Sequence, residues 1–115
     1  MNPAQSPDSD PPGLAEALNR LWGQFLPQMF DRVAALEAAV APLAAGTLSD
    51  PERQEANAAA HKLAGILGSF GVPEGTLLAR EAETLCTCET ETAAASAARL
   101  NEIVVELRVL IEHRK

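Results

Sequence analysis

Tyrosine is absent from this 115-residue chain, and three phenylalanines with one tryptophan supply all of its aromatic side chains, 3% of the total. A composition so poor in aromatics, yet 47% hydrophobic and dominated by alanine and leucine, favours helices over sheets. Positive charge is also scarce. Nine lysines and arginines face sixteen aspartates and glutamates, a net charge of −7. A phosphate backbone would be repelled, so no nucleic-acid partner is expected. The only basic cluster is Arg108, His113, Arg114 and Lys115, where a helix C-terminus would favour positive charge. No apolar run approaches the roughly eighteen residues needed to span a bilayer. The N-terminus lacks the pattern of a signal peptide. The expectation is a soluble, cytoplasmic monomer with no membrane partner.

The two cysteines, Cys86 and Cys88, are too close together for an ordinary structural disulfide and agree with a reducing compartment. Taken with His113 they give three soft donors where tetrahedral zinc takes four, so no metal site is expected. Asp8-Ser9-Asp10 with Gly13 resembles the opening of a calcium loop, but Pro11 and Pro12 follow and no glutamate closes it. The pairs Glu81 with Glu83 and Glu89 with Glu91 lie two residues apart, cannot share a helix face, and read as solvated charge. No Ser-His-Asp set, glycine-rich phosphate loop or dinucleotide fingerprint appears, so the chain has no machinery for ordinary catalysis.

Hydrophobic periodicity divides the sequence. Residues 1–12 hold four prolines among polar side chains and read as a disordered N-terminal tail, leaving residues 13–115 as one helical domain. A helical pattern starts at Leu14 and runs through Leu18, Leu21, Trp22 and Phe25. Pro27 predicts a kink or break near Leu26. The next helix is expected from Pro27 to Leu43, burying Phe30, Val33, Leu36, Val40 and Leu43, with Gly46 as its stop. Ser49-Asp50-Pro51-Glu52 is a strong start signal with a potential capping box. The helix it opens should end near Phe70, with Gly71 after it. Pro73 and Glu74 open a shorter helix carrying Leu77, Leu78, Ala82 and Leu85, and Thr87 to Thr92 form a turn. The last helix carries Ala93, Ala97, Leu100, Ile103, Val104, Leu107, Leu110 and Ile111. The resulting fold class is all-α, an antiparallel four-helix bundle with an additional or extended N-terminal helix. No internal repeat is visible.

The most informative segment is Ala60-His61-Lys62-Leu63-Ala64-Gly65-Ile66-Leu67-Gly68-Ser69-Phe70-Gly71. At about 100° per residue, Ala56, Ala60, Leu63, Leu67 and Phe70 form one apolar stripe. His61 lies roughly 140° from its centre and should point outward. Gln54, Asn57 and Ala58 precede it on the same face, and Gly65 and Gly68 follow. Nothing bulky should cover the imidazole. Each interior glycine costs a helix about 0.5–1 kcal/mol relative to alanine, and close approach of another molecule is a reason to accept that cost.

This run, with Val72, Pro73 and the following Leu78, Arg80, Glu81 and Leu85, resembles the signature of histidine-containing phosphotransfer (HPt) domains. The likeness covers residues 14–113 in element order and 57–85 in specific motif. It implies that His61 is the phospho-acceptor of a phosphorelay in two-component signal transduction. His61 would take a phosphoryl group from a receiver-domain aspartyl phosphate and pass it to another receiver. It also implies that Gly65 is clearance for the incoming receiver. The implied partners are response-regulator receiver domains, with a hybrid histidine kinase as a further candidate. Magnesium would reside on the receiver, and this chain would need no cofactor of its own. Such a carrier is not a complete enzyme. The docking face drawn from this reading is Gln54, Asn57, Ala58, Lys62, Gly65, Gly68, Ser69 and, on the neighbouring helix, Arg80.

The sequence departs from the commonest family pattern at Ala64, where lysine is usual, and at Ile66, where a small residue often stands. Lys62 is the nearest cation on the segment but projects about 100° from His61. A histidine suits the role, because its ordinary pKa of about 6.5 leaves it mostly neutral and nucleophilic at cytoplasmic pH. The rival reading is a helical adaptor or dimerisation bundle, with the glycine face a close helix-packing surface and His61 incidental. A third, a pseudo-carrier that inhibits a kinase or receiver, is disfavoured by the presence of His61.

Overall fold

A computed structural model describes residues 13–87 and 92–114 of the chain. The tail expected over residues 1–12, and with it the Asp8–Asp10 motif, lies outside the described residues, as do Cys88, Glu89, Glu91 and Lys115. Among the described residues four helices follow in order, α1 (Leu14–Ala45), α2 (Asp50–Ser69), α3 (Pro73–Thr87) and α4 (Ala93–His113). Helix α1 packs on α2 and α4, and α3 packs on the same two, which closes a four-helix ring. Among the described residues there is no strand, and no helix long and apolar enough to cross a membrane.

Local chemistry sets each boundary. At the start of α2, the Glu52 N–H donates to Ser49 Oγ (3.2 Å) while the Ser49 N–H donates to Glu52 Oε1 (2.8 Å), a reciprocal capping box. The end of α2 is closed by Gly71 at φ +72°, with N–H donation from Gly71 to the Gly68 carbonyl and from Val72 to the Leu67 carbonyl. That is the paired bonding of a Schellman motif, and a β-carbon would oppose its left-handed residue. Gly46 ends α1 in the same way. Thr92 Oγ1 accepts from the Ala95 N–H to cap α4.

Of the kink or break expected near Leu26, the break does not occur, since α1 runs unbroken for 32 residues with both Pro27 and Pro42 inside it. Pro27 and Gly23, whose carbonyl loses its partner, both face solvent, so water can satisfy that oxygen. The buried side chains flanking the proline, Trp22 and Met29, meanwhile hold both halves to the core. A continuous helix also changes the buried register. Trp22, Met29, Val33, Leu36, Ala39 and Leu43 are inside, Val40 is half-buried, and Phe30, one step round from Met29, is exposed.

The core is aliphatic. Met29, Val33, Leu36, Leu63, Leu67, Leu100, Ile103, Leu107 and Ile111 are fully buried, and each such side chain contributes roughly 1.5–3 kcal/mol through burial. Helix α3 differs, because its buried stripe is Gly75, Ala79, Ala82 and Cys86 while Leu77 is 68% exposed. Of the apolar positions expected on this helix, Ala82 is buried, Leu78 and Leu85 are half-buried and Leu77 is exposed. The fold uses small residues there because α3 lies hard against α2, where a β-carbon on Gly75 would stand 2.7 Å from Leu67 Cδ1. The Thr76 hydroxyl donates to the Ala64 carbonyl (3.2 Å) near one end of this pair, and the Arg53 guanidinium donates to the Cys86 carbonyl near the other. Burial pushes the Cys86 thiol above its ordinary pKa. Leu21 and Ala93, also expected inside, are exposed, and Leu110 is half-buried.

Arginine–glutamate pairs tie helices together across the surface. Arg99 donates from Nε and Nη2 to both oxygens of Glu81 (2.6 and 2.8 Å), linking α4 to α3. Arg108 grips Glu37 through two 2.9 Å bonds, linking α4 to α1. Hydrogen bonds from these arginines hold Glu81 and Glu37 below the ordinary carboxylate value, and bonding to Ser49 does the same for Glu52. A lower pKa in the folded state means that the unfolded chain binds more protons over the interval between the two values. Stability from these groups is therefore full above the ordinary carboxylate pKa of 4.5 and lost as pH falls through the depressed values. Thermal melts from pH 7 to pH 3 should show the melting temperature falling below about pH 4.5, and Glu81→Gln should lower the pH 7 value while flattening that fall.

Candidate functional site

His61 stands in the middle of α2 with its side chain 78% exposed, while Ala59, Ala60, Leu63 and Ala64 beside it are buried. The exposure follows from the register. Burying the Ala56, Ala60, Leu63, Leu67 stripe turns position 61 outward. Its ring nevertheless has a neighbour on the next helix, because Nδ1 lies 3.5 Å from Glu83 Oε2, within ion-pair distance. Nδ1 is thus the nitrogen directed at α3.

Sequence reasoning missed Glu83. The spacing of two between Glu81 and Glu83 keeps them off a common helix face and reads as solvated charge, and the two do diverge, each to a different helix. Glu81 turns to Arg99 on α4, and Glu83 turns to His61 on α2. The available signal lay in α3's own stripe, since residues flanking Ala79, Ala82 and Cys86 on the α2 side must overhang α2.

Two hollows meet at Gly65. One is lined by His61, Ala64 and Gly65 of α2 and by Arg80, Glu83 and Thr84 of α3. The other lies between α1 and α2 and is mainly apolar, formed by Leu18, Leu21, Phe25, Ile66 and Phe70 with Gln28, Lys62, Gly65 and Ser69. A β-carbon on Gly65 would meet nothing within 4 Å, so the ridge between the hollows is open space. Gly68 differs, because its β-carbon would lie 3.5 Å from Thr76 Oγ1. Of the expected docking residues, Arg80 and Gly65 join His61 in its hollow, while Lys62 and Ser69 border the apolar one. Gln54, Ala58 and Gly68 are exposed and Asn57 is half-exposed, and these four line neither hollow.

The contribution of α1 to this surface was not foreseen. At its end the apolar hollow rests on an aromatic cluster in which Phe70 packs edge-on against Trp22 (5.2 Å between centroids) and Phe25 (5.9 Å). The Arg114 guanidinium covers the Trp22 ring at 4.6 Å. An apolar floor next to an exposed, uncrowded imidazole makes a surface suited to another protein rather than to a small molecule.

Comparison with known proteins agrees with this arrangement. The Hpt domain family model matches residues 20–113. The chain belongs to the Hpt domain family. It is thus a helical-bundle domain of two-component phosphorelay signalling, a class of phosphotransfer carriers that interact with receiver domains. Among curated proteins, Protein RcaC of Microchaete diplosiphon is 36% identical over 66 residues, covering 57% of this chain. The chain spans only about 10% of that relative's length. No match to a solved structure was found.

The open space at Gly65 separates a cost to folding from a cost to docking. Gly65→Ala should raise stability by about 0.5–1 kcal/mol through helix propensity, read as a higher denaturation midpoint. Gly65→Leu should also stay folded by circular dichroism yet obstruct phosphotransfer, and undiminished transfer in that variant would refute the clearance role.

Proposed function

We propose that this Hpt domain is a cytoplasmic relay carrier in which His61 accepts a phosphoryl group from a receiver's aspartyl phosphate and returns it to a second receiver. The observation that carries this reading is the orientation of the imidazole, with Nδ1 toward Glu83 and the ring otherwise open to solvent. A proton held on Nδ1 by the carboxylate leaves the Nε2 lone pair as nucleophile. The N–P bond forms at Nε2 as the acyl phosphate P–O bond breaks, and the electron pair leaves on the aspartate carboxylate. The ring becomes cationic as Nε2 bonds phosphorus, and Glu83 stands where it stabilises that charge. The second transfer runs the same steps in reverse.

Phosphoryl transfer depends chiefly on positioning and electrostatics, and here the work divides between partners. The receiver brings its own magnesium and acidic pocket. This chain brings the nucleophile, the opening at Gly65, and Arg80 in the His61 hollow, a cation available to the phosphoryl oxygens where Ala64 replaces the usual lysine. Lys62 borders the apolar hollow instead and reads as a docking residue. The apolar floor of Leu18, Leu21, Phe25 and Ile66 is the complementary seat for the receiver's own apolar surface. The adaptor reading would use the glycine face for close helix packing. Within this chain the glycine that packs so closely is Gly75 on α3, while Gly65 faces open space that either a receiver or a packed helix would fill, so transfer to His61 is what separates the two readings.

Incubation with phosphorylated receiver domains should give acid-labile label on the wild type and none on His61→Gln, with receiver binding retained in the variant. Label on the variant, or none on a folded wild type with any receiver, would overturn the assignment. Glu83→Ala should remain folded and slow the transfer by roughly ten- to a hundredfold through loss of ring positioning, measured as the rate at saturating receiver.

A further inference from the structure

The flank of the bundle formed by α3 and α4 carries a feature the relay chemistry does not use. A groove of about 570 Å³ runs between these helices over Leu77, Leu78, Val105, Val109 and Leu110. Three of those side chains are unusually open for their type, Leu77 at 68%, Val105 at 54% and Val109 at 50% exposure. Leaving such side chains in water brings no benefit to the isolated fold, and clustered exposed apolar surface marks an interaction site.

Its charge selects the occupant. The polar lining is Glu74, Glu81, Glu106 and Arg99. Arg99 and Glu81 neutralise each other, with Nε and Nη2 on Glu81 and Nη1 reaching Glu102, which leaves Glu74 and Glu106 to set the charge of the rim. The groove therefore presents an apolar floor inside an acidic margin. A second copy of this chain would bring the same acidic margin and a net charge of −7 to meet it, and an anionic lipid surface would be repelled for the same reason. Along α4 the lining extends from Arg99 to Leu110, about 16 Å of helix, or the length of three turns of a partner.

We propose that the α3/α4 groove binds a cationic amphipathic helix of a partner protein. Leucine-like anchors at i, i+3 or i+4 and i+7 enter over Leu77, Val105 and Val109, and lysines or arginines flank them toward Glu74 and Glu106. On α3 this lining and the Arg80, Glu83, Thr84 side of the His61 hollow lie about 120° apart, on opposite flanks of the buried stripe. A receiver at His61 and a helix in the groove can accordingly be held at once, so the site serves to tether or place the carrier rather than to compete with transfer.

The test needs no phosphorylation, so it stands apart from the relay assignment. A leucine/lysine amphipathic peptide of about 14 residues, long enough for the groove, is titrated into the isotope-labelled full chain and followed by amide chemical shifts. A glutamate-for-lysine version and a scrambled version of the same composition serve as controls. The proposal expects shifts centred on Leu77, Val105 and Val109, none with the acidic peptide, weak and unlocalised ones with the scrambled peptide, and binding weakened about tenfold or more by Val109→Glu. That variant adds negative charge, so a merely electrostatic association would strengthen instead and overturn the proposal. Shifts centred on the α1/α2 hollow, or a concentration-dependent dimer abolished by Val109→Glu, would overturn it as well. Leu77→Glu provides a second readout should Val109→Glu disturb the fold.

Discussion

The geometry of the His61 site rests on how closely α3 can approach α2. A stripe of Gly75, Ala79, Ala82 and Cys86 turns inward on α3, and the β-carbon missing from Gly75 leaves the room that Leu67 occupies. With larger residues in that stripe the helices would stand further apart, and a side chain as short as glutamate could not reach the imidazole across the gap. Small-residue packing at the core thus becomes orientation at the surface. Thr76 anchoring on the Ala64 carbonyl fixes the start of α3 one turn from His61, and Arg53 holding the Cys86 carbonyl fixes the other end.

The same helix is read differently on its two flanks. Toward α2 it carries Arg80, Glu83 and Thr84 to His61, and toward α4 it carries Leu77, Leu78 and Glu81 to the second groove. Helix α2 divides its surface likewise. Its apolar stripe is wholly committed to the core, which leaves the opposite face free of any structural duty. That separation explains how an exposed histidine and an unhindered glycine can sit mid-helix in a stable bundle. The helix-propensity cost of Gly65 is small beside the burial of Leu63 and Leu67 on the other side.

Much of this was legible in the chain itself. Helix identity, the Ser49/Glu52 capping box, the Gly46 and Gly71 stops and the outward turn of His61 all follow from local rules, in which a residue's neighbours within one or two turns decide the outcome. What escaped depends on contacts distant in sequence. Pro27 looked like a break because local sterics oppose it, whereas the packing of Trp22 and Met29 on the opposite face keeps α1 continuous. Leu77 looked buried because of its hydrophobicity, and only the closeness of α2 shows why small residues took its place. Glu83 and the α1 wall of the apolar hollow were invisible for the same reason. Their importance lies in what another helix brings to them.

The proposed relay depends on Nε2 of His61 acting as the nucleophile while Nδ1 faces Glu83. Long-range proton–nitrogen spectra of the His61 imidazole, recorded before and after phosphorylation by a receiver and with His113 as internal reference, distinguish the two ring nitrogens. The expected result is the Nδ1–H tautomer in the free protein and phosphorus on Nε2 afterwards. Phosphorus on Nδ1, or an unchanged His61 ring in a protein that carries label elsewhere, would contradict it.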